Sequence, residues 1–369
     1  MSNSKLAVGI IGTSWWVDTM YLPALKEHPH GYVAILCGQN ESKTIKLAEK
    51  WNISSKTVNY SDLFDMGLDL LINATPNNLH YLISKKALER EIPIICEKPL
   101  CLNYSEAKEL ADIAKTNNIQ TLVPFTYRYM PTNRFLKQLF KENYIGQIYH
   151  FSMRYYAGYG RSEEYFWRFD KNKAGSGALA DIGSHFLFLA YWFFGLVEEV
   201  SCTLQTCIKR PDVDSNGFPY QQADDVAYIT LKFFNGIQGT ILVSTVALEC
   251  SKFGQLHDME FYGSEGSLYH TIDWDSCQEI RVLKPERHEK GILRIPKEII
   301  GELNMDTVHQ TYKDTFRKGN FMAREFVTAL YNKTSIKPDF QDGAYIQRII
   351  DACILSDKEK RRVSIKEIN

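Results

Sequence analysis

The stretch LAVGIIGTSWWV, residues 6–17, decides the fold of the first part of this 369-residue chain. Its apolar start is a β-strand pattern that runs into Gly12, and helix-forming residues follow from near Trp15. A strand, a glycine turn and a helix in this order are typical of a unit that binds a dinucleotide at the helix N-terminus. Compared with the pattern G-x-G-x-x-G, Ser14 and Val17 replace the second and third glycines. Taken alone, the motif fits an ordinary strand-to-helix turn equally well.

Short β-rich runs alternate with helical patterns after this turn, which predicts a doubly wound parallel sheet. The predicted strands are Leu6–Ile11, Val33–Cys37, Leu70–Thr75, Ile92–Cys96 and Thr121–Phe125. The predicted helices are Thr44–Trp51, His80–Glu89 and Tyr104–Asn117, the last with Ser105 as its N-cap. We therefore place an N-terminal Rossmann domain at residues 1–125.

Residues 126–369 are predicted to form a second, α/β domain with a large, mostly antiparallel open sheet that binds substrate and mediates oligomerisation. Alternating strand patterns occur at Ile148–Tyr156, Val226–Phe234 and Gly239–Val246, and Asn235-Gly236 between the last two indicates a hairpin. Helices are expected at Leu179–Phe194, Phe321–Tyr331 and Gly343–Ser356, and loops at Asp273–Thr315. Because we expect the helices mainly on one face of this sheet, we predict that a second copy covers the other face in a homodimer or homotetramer.

The composition narrows the class of protein. Hydrophobic residues make up 44%, charged residues 24%, and the formal net charge is -1, so nothing points to nucleic acid as a partner. We see no signal peptide and no apolar stretch long enough to span a membrane, and we expect a cytoplasmic protein. The eight cysteines include no C-x-x-C pair, and the histidines lack zinc spacing, so no metal site is predicted.

The end of the second predicted strand bears on the choice of cofactor. An NAD enzyme often places an acid there to hold the ribose 2′-hydroxyl. Here the position is taken by Gly38, followed by Gln39, and the nearest cation in sequence is Lys43. The choice between NAD and NADP stays open, with NADP favoured because no carboxylate repels a 2′-phosphate.

Three groups further along the chain have the chemistry that hydride transfer needs. Lys98 follows a strand and therefore lies at the sheet edge where ligands bind in open α/β folds. Asp181 and His185 are four residues apart, so in a helix they share one face. A dehydrogenase needs one group to take the hydroxyl proton and another to hold the oxygen. The alternatives are a solvated lysine and a surface Asp–His pair.

Together these features resemble the Gfo/Idh/MocA family of oxidoreductases over nearly the whole chain. The motifs that carry the resemblance are Gly12 with its neighbours, Ala74–His80, Glu97-Lys98-Pro99, Tyr127-Arg128-Tyr129, Trp167-Arg168, Asp181 with His185, Asp224-Asp225, Asn235-Gly236 and Gly263–Gly266. The resemblance implies an NAD(P)-dependent enzyme that moves hydride between nicotinamide and a secondary alcohol or ketone. The implied substrates are a sugar, an inositol or a related polyol.

The resemblance also implies roles for single residues: Lys98 contacts the reacting hydroxyl, Asp181 orients the substrate and His185 is the general base. Together with the glycine turn, it predicts a set of cofactor-binding residues: Gly12, Thr13, Ser14, Trp15, Gly38, Gln39, Thr75, Pro76, Asn77, His80, Glu97, Lys98 and Arg128. The residues expected to contact substrate are Tyr127, Trp167 and Arg168.

Departures from the family pattern leave two other functions open. Phe188 stands where an acid commonly follows the histidine, which removes a polar group from the edge of the expected pocket. One alternative is a catalytically silent regulator that senses nucleotide. The other is a reductase of a non-sugar carbonyl compound, favoured by an aromatic pocket of Tyr127, Tyr129, Trp167 and Phe188.

Overall fold

A computed structural model of the protein describes residues 5–248 and 254–369. The chain divides into two compact units, Met1–Pro124 with Tyr312–Tyr345, and Phe125–Thr311 with Ile346–Asn369. The division differs from the sequence interpretation in one segment, because 312–345 packs with the first unit. Arg317 donates from Nε to the carbonyl of Thr19 at 2.7 Å, one of several contacts that hold this segment there.

The strands and helices are as follows. The strands are β1 Leu6–Ile11, β2 Gly31–Cys37, β3 Ser55–Thr57, β4 Leu70–Asn73, β5 Ile94–Cys96, β6 Thr121–Leu122, β7 Ile148–Ala157, β8 Val197–Gln205, β9 Val226–Phe233, β10 Gln238–Ser244, β11 Gln255–Gly263, β12 Gly266–Asp273, β13 Cys277–Leu283, β14 Gly291–Leu293 and β15 Val363–Ser364. The helices are α1 Leu22–Lys26, α2 Glu41–Lys50, α3 His80–Glu89, α4 Tyr104–Thr116, α5 Pro131–Lys141, α6 Lys171–Ala174, α7 Ser184–Phe194, α8 Lys297–Ile300, α9 Val308–Arg317, α10 Ala323–Asn332 and α11 Phe340–Glu359. Two π-helical turns, Val17–Tyr21 and Leu179–Gly183, directly precede α1 and α7.

The first unit contains a six-stranded parallel sheet in the order β3-β2-β1-β4-β5-β6, which confirms the predicted Rossmann fold. β3 was not predicted, because three residues at a sheet edge carry too little periodicity to detect. The predicted N-cap of α4 was wrong: Asn103 caps the helix by accepting from the backbone N–H of Glu106, and Ser105 lies inside the first turn.

The second unit contains a nine-stranded sheet in the order β14-β13-β12-β11-β7-β10-β9-β8-β15. Its pairings are antiparallel except for β7 with β10, which confirms a mostly antiparallel sheet. The expectation of loops over Asp273–Thr315 was wrong, because β13, β14, α8 and α9 begin there. β13 and β14 are near an edge of the sheet, where few positions are buried, so their hydrophobic signal is weak.

The helical stretch Lys171–Phe194 is the core of the second unit. It is long and apolar enough to cross a membrane by length and composition alone, so the statement that no such stretch exists was wrong. However, 83% of its apolar window is buried inside the protein. It therefore provides the buried surface on which the sheet packs.

Candidate functional site

The first nucleotide-binding element is the turn at the carboxyl end of β1. Gly12 has a φ of +128°, and a Cβ there would lie 2.4 Å from the carbonyl oxygen of Ala74, so the position requires glycine. Helical backbone begins at Trp15, as predicted. The hydroxyl oxygen of Ser14 accepts a hydrogen bond from the backbone N–H of Val17 at 3.4 Å. Ser14, which stands where the second glycine of the pattern is usual, therefore caps the helix that begins at Trp15.

Three adjacent strands bring the predicted cofactor residues of the first unit to one edge. β1, β4 and β5 are neighbours in the sheet, and their carboxyl ends lead into Gly12, Thr75-Pro76-Asn77 and Glu97-Lys98 respectively. The backbone N–H of Glu97 donates to the carbonyl of Asn73 at 3.0 Å and ties two of these ends together. The Lys98-Pro99 peptide bond is cis.

Glu97 is held by two aromatic residues that were not predicted to be part of the site. Oε1 of Glu97 accepts from Nε1 of Trp16 at 2.7 Å and from the hydroxyl of Tyr21 at 2.6 Å. Burial raises the pKa of Glu97 above its usual range, while these hydrogen bonds and the charge of Lys98 act in the opposite direction. The carboxyl group is thus fixed in orientation beside Lys98.

His80 links the segments that follow β4 and β5. Its ring is fully buried, with Nδ1 2.8 Å from the carbonyl oxygen of Pro99 and Nε2 3.0 Å from that of Thr75. Burial lowers the pKa of His80 to about 4, although the two carbonyl contacts favour the protonated ring. Because burial is the largest effect on His80, its ring is neutral and donates to one of the two carbonyls. A direct contact of His80 with cofactor stays a prediction.

A cavity of about 370 Å³ is lined by residues that follow Gly12 and by residues of α2. A Cβ on Gly38 would lie 2.4 Å from a side-chain atom of Thr13 and 2.5 Å from Oγ1 of Thr44, so a larger residue here would require these side chains to shift. Gln39 next to it is exposed. The cavity lining includes Thr13, Ser14, Trp15, Asp18, Lys43, Lys46 and Lys50, and Asp18 is paired with Lys50 at 2.8 Å. Lys43 and Lys46 therefore add positive charge to the lining of this cavity.

In the second unit, Asp181 lies in the π-helical turn and is oriented by two donors. The hydroxyl of Tyr159 donates to Oδ2 of Asp181 at 2.5 Å, and Nε of Arg168 lies 3.2 Å from the same oxygen. Arg168 in turn stacks on Trp167, with its guanidinium carbon 4.6 Å from the ring centroid. The predicted catalytic Asp181 and two predicted substrate residues, Trp167 and Arg168, are therefore adjacent.

His185 lies in the first turn of α7, four residues after Asp181, but the π-helical turn between them widens the predicted helical spacing. Its ring is 7% exposed and 4.7 Å from the ring of Tyr127. The Tyr127 hydroxyl lies 2.8 Å from that of Tyr155 on β7. Burial raises the pKa of Tyr127 well above its usual value, with the hydroxyl of Tyr155 and the charge of Asp181 acting in the same direction.

Other predicted pocket residues have different surroundings. The Phe188 ring stacks on Phe125 at 4.3 Å with 2% exposure, so it is a core residue and not part of a pocket edge. Tyr129 is also buried. Arg128 lies over the rings of Tyr129 and Trp192, at 5.3 and 5.4 Å. A contact of Arg128 with cofactor stays a prediction.

Trp16, Tyr21 and Tyr159 are the residues of the site that sequence reasoning missed. Aromatic residues in a helix or after a strand are usually core residues, so their type alone carried no signal. The described parts of the chain contain no group of three or more His, Cys, Asp or Glu residues that would hold a metal ion.

Two family models match the chain. Residues 6–125 match one described as an oxidoreductase family with an NAD-binding Rossmann fold, and residues 133–269 match the GFO/IDH/MocA C-terminal domain. The first matched range ends within one residue of the observed boundary at Pro124.

Curated proteins and solved structures resemble the chain over nearly its whole length. Levoglucosan dehydrogenase of Pseudarthrobacter phenanthrenivorans is 26% identical over 91% of this chain and 90% of its own. Glucose-6-phosphate 3-dehydrogenase of Bacillus subtilis is 22% identical over 84% and 85%. A structure of levoglucosan dehydrogenase with NADH and levoglucosan has a TM-score of 0.84, at 25% identity over 98% of this chain and 100% of that chain.

Proposed function

The chain belongs to the Gfo/Idh/MocA family of NAD-binding oxidoreductases, and on this basis we propose that it oxidises or reduces a sugar, an inositol or a related polyol at a secondary carbon. The observation that carries the proposal is Asp181, oriented by Tyr159 and Arg168 and followed four residues later by His185. The relatives named for levoglucosan and glucose 6-phosphate support a substrate of this class.

The first unit has the features that hold a nicotinamide dinucleotide. Gly12 leaves room for a pyrophosphate against the backbone N–H groups that follow it. Thr75, Pro76 and Asn77 with Glu97 border the same edge, where the nicotinamide end would lie. When bound, the cofactor accepts or supplies the hydride.

The protein's own side chains handle the proton and the oxygen. We propose that His185 removes the proton of the substrate hydroxyl, that Asp181 accepts a hydrogen bond from that hydroxyl or a neighbouring one, and that Lys98 donates to the reacting oxygen. Tyr159 and Arg168 orient the Asp181 carboxylate through their contacts with Oδ2. In the same proposal, Tyr127, Trp167 and Arg168 contact the substrate.

NADP is the favoured cofactor in this proposal. Two observations support it: position 38 is a glycine and carries no carboxylate, and the lining of the cavity beside the glycine turn includes Lys43 and Lys46. An acid at the strand end is what selects the free 2′-hydroxyl of NAD. Levoglucosan dehydrogenase is known in complex with NADH, and an assay of this chain with both cofactors tests the proposal.

We also propose that the chain forms a homodimer or homotetramer. The support comes from the face of the large sheet that is not buried within the second unit. Alternate positions on four central strands place Tyr156, Tyr228, Leu242 and Tyr262 on the face opposite the buried one. Light scattering of the wild type and of a Tyr228→Glu/Leu242→Glu variant tests this, and a wild-type monomer would contradict it. A cytoplasmic location stays a proposal, tested by cell fractionation.

The decisive experiment is a panel of sugars, inositols and anhydrosugars assayed with both oxidised cofactors at 340 nm. We expect turnover of at least one polyol, with a higher kcat/KM for NADP. Tight cofactor binding without any turnover would favour the regulator. Turnover confined to carbonyl compounds without hydroxyl groups would favour the non-sugar reductase.

A further inference from the structure

Arg210 is a charged residue enclosed in the second unit, with a side chain that is 0% exposed. Its Nη2 donates to Oδ1 of Asp225 at 2.8 Å and to the carbonyl of Gly160 at 2.5 Å. Its guanidinium carbon lies 3.7 Å from the centroid of the Phe169 ring, and Nε and Nη1 have no hydrogen-bond acceptor. A buried ion pair of this kind contributes little net stability, but its geometry fixes the segments that it contacts.

Two contacts of Arg210 are next in sequence to the partners of Asp181. Gly160 follows Tyr159, whose hydroxyl donates to Asp181, and Phe169 follows Arg168, whose Nε lies beside the same carboxylate oxygen. One guanidinium therefore contacts both segments that orient Asp181.

The third contact of Arg210, with Asp225, is next in sequence to a residue that binds the helical turn containing Asp181. Asp225 follows Asp224, whose carboxylate accepts from the backbone N–H groups of Gly177 and Leu179 at 2.8 and 2.9 Å. Because the π-helical turn starts at Leu179, Asp224 fixes the backbone just before Asp181.

Close packing leaves these segments little freedom to compensate. A Cβ on Gly160 would lie 2.4 Å from Oγ1 of Thr245 and 2.9 Å from the Phe169 ring. A Cβ on Gly177 would lie 1.8 Å from the carbonyl oxygen of Asp224. Backbone positions this close together move only as a group.

We propose that Arg210 is a positioning residue that sets the direction of the Asp181 carboxylate through Tyr159 and Arg168. The inference rests on the proposed function, in which Asp181 orients the substrate. The Tyr159 hydroxyl and Nε of Arg168 both contact Oδ2, so together they set the orientation of the Asp181 carboxylate. If Arg210 loses its contacts, substrate is held less well in the reactive orientation, while cofactor binding is unchanged.

The first test is a double-mutant cycle of Arg210→Lys with Tyr159→Phe, read in kcat/KM for the best substrate of the panel. Lysine keeps the charge but lacks the flat guanidinium that spans Gly160 and Phe169. If each single change lowers kcat/KM about 10-fold, we expect the double variant to lose about 10-fold as well, because both remove the same constraint. Losses that multiply to about 100-fold would overturn the proposal.

A matched control separates positioning from general destabilisation. Ile280 is fully buried on β13 in the same unit and has no part in this network. Ile280→Val combined with Tyr159→Phe is expected to give effects that multiply. Should Arg210→Lys fail to fold, Arg210→Gln with Asp225→Asn removes both charges together and enters the same cycle.

A second measurement does not need activity. The backbone N–H of Gly160 donates to the carbonyl of Thr245 at 2.8 Å, and we expect Arg210→Lys to speed hydrogen exchange at 158–162. Unchanged exchange there would overturn the positioning role. A wild type without turnover would overturn the proposed function instead, while the exchange result would still decide whether Arg210 holds Tyr159.

Discussion

Trp16 donates its indole N–H to Oε1 of Glu97 at 2.7 Å. This bond joins the helix after the glycine turn to the residue that precedes Lys98. Tyr21 donates to the same oxygen from one turn further along. The orientation of the Glu97 carboxylate, next to the proposed catalytic lysine, therefore depends on these two residues after the glycine turn.

Removing the Tyr21 hydroxyl tests the importance of this buried carboxylate. Tyr21→Phe leaves Glu97 with one donor fewer, and we expect a loss of about 2 kcal/mol in the free energy of unfolding in urea. Tyr81→Phe is the matched control, because its hydroxyl donates to Glu109 at the same 2.6 Å but at the surface. The control is expected to lose less than about 0.5 kcal/mol. Equal losses of unfolding free energy in Tyr21→Phe and Tyr81→Phe would show that burial of Glu97 does not strengthen its hydrogen bond with Tyr21.

Lys98→Met tests the proposed role of the lysine at the reacting oxygen. We expect kcat/KM to fall by about 100-fold or more, because a donor to the developing negative charge is lost. Cofactor affinity measured by fluorescence titration is expected to persist. Lys108→Met on α4 is the control, since Lys108 is exposed and paired with Asp112. Unchanged turnover in Lys98→Met would remove this residue from the mechanism.

Lys43→Gln tests the preference for NADP. We expect the Kd for NADP to rise about 10-fold, while that for NAD changes less than about 2-fold, because only NADP carries the extra phosphate charge. Lys56→Gln on β3 is a control with the same change of charge, and Lys56 is outside the cavity lining. An equal rise in the Kd values for NADP and NAD would show that Lys43 contacts a part of the nucleotide that both cofactors share.

Two buried histidines on neighbouring strands predict an acid-sensitive fold. Burial lowers the pKa of His270 from 6.5 to about 3 and that of His257 well below 6.5, and no ring nitrogen of either has a hydrogen-bond partner. Below pH 6.5 the unfolded chain takes up protons that the folded chain does not, so stability falls as the pH drops from about 6.5 towards 3. Each residue contributes a slope of up to about 1.4 kcal/mol per pH unit.

His270→Leu is expected to remove one such contribution and flatten the decline, as measured by urea unfolding at several pH values. At neutral pH the same change removes unpaired buried nitrogens, so we expect stability to be equal or higher. His257→Leu provides an independent second measurement. A slope that stays the same in both variants would show that these rings are not the groups that titrate.

Sequence reasoning located most of what depends on local pattern. It predicted β1 with its exact bounds and α3 from His80 to Glu89, since hydrophobic periodicity and a glycine turn are readable over a few residues. It failed at β3 and over Asp273–Thr315, where short elements at a sheet edge show little periodicity. It also placed Phe188 at a pocket edge, although the stacked Phe125 encloses it in the core.

The amino-acid sequence by itself determined the alternation of strands and helices, the glycine turn and the four-residue spacing of Asp181 and His185. Only the tertiary structure decided which side chains hold these groups in place: Trp16 lies 81 residues from Glu97, Tyr159 lies 22 from Asp181, and Arg210 lies 50 from Gly160. The physical reason is that periodicity and turn geometry act between neighbours in sequence. Hydrogen bonds between distant residues depend on the order in which strands pair, and no local pattern encodes that order.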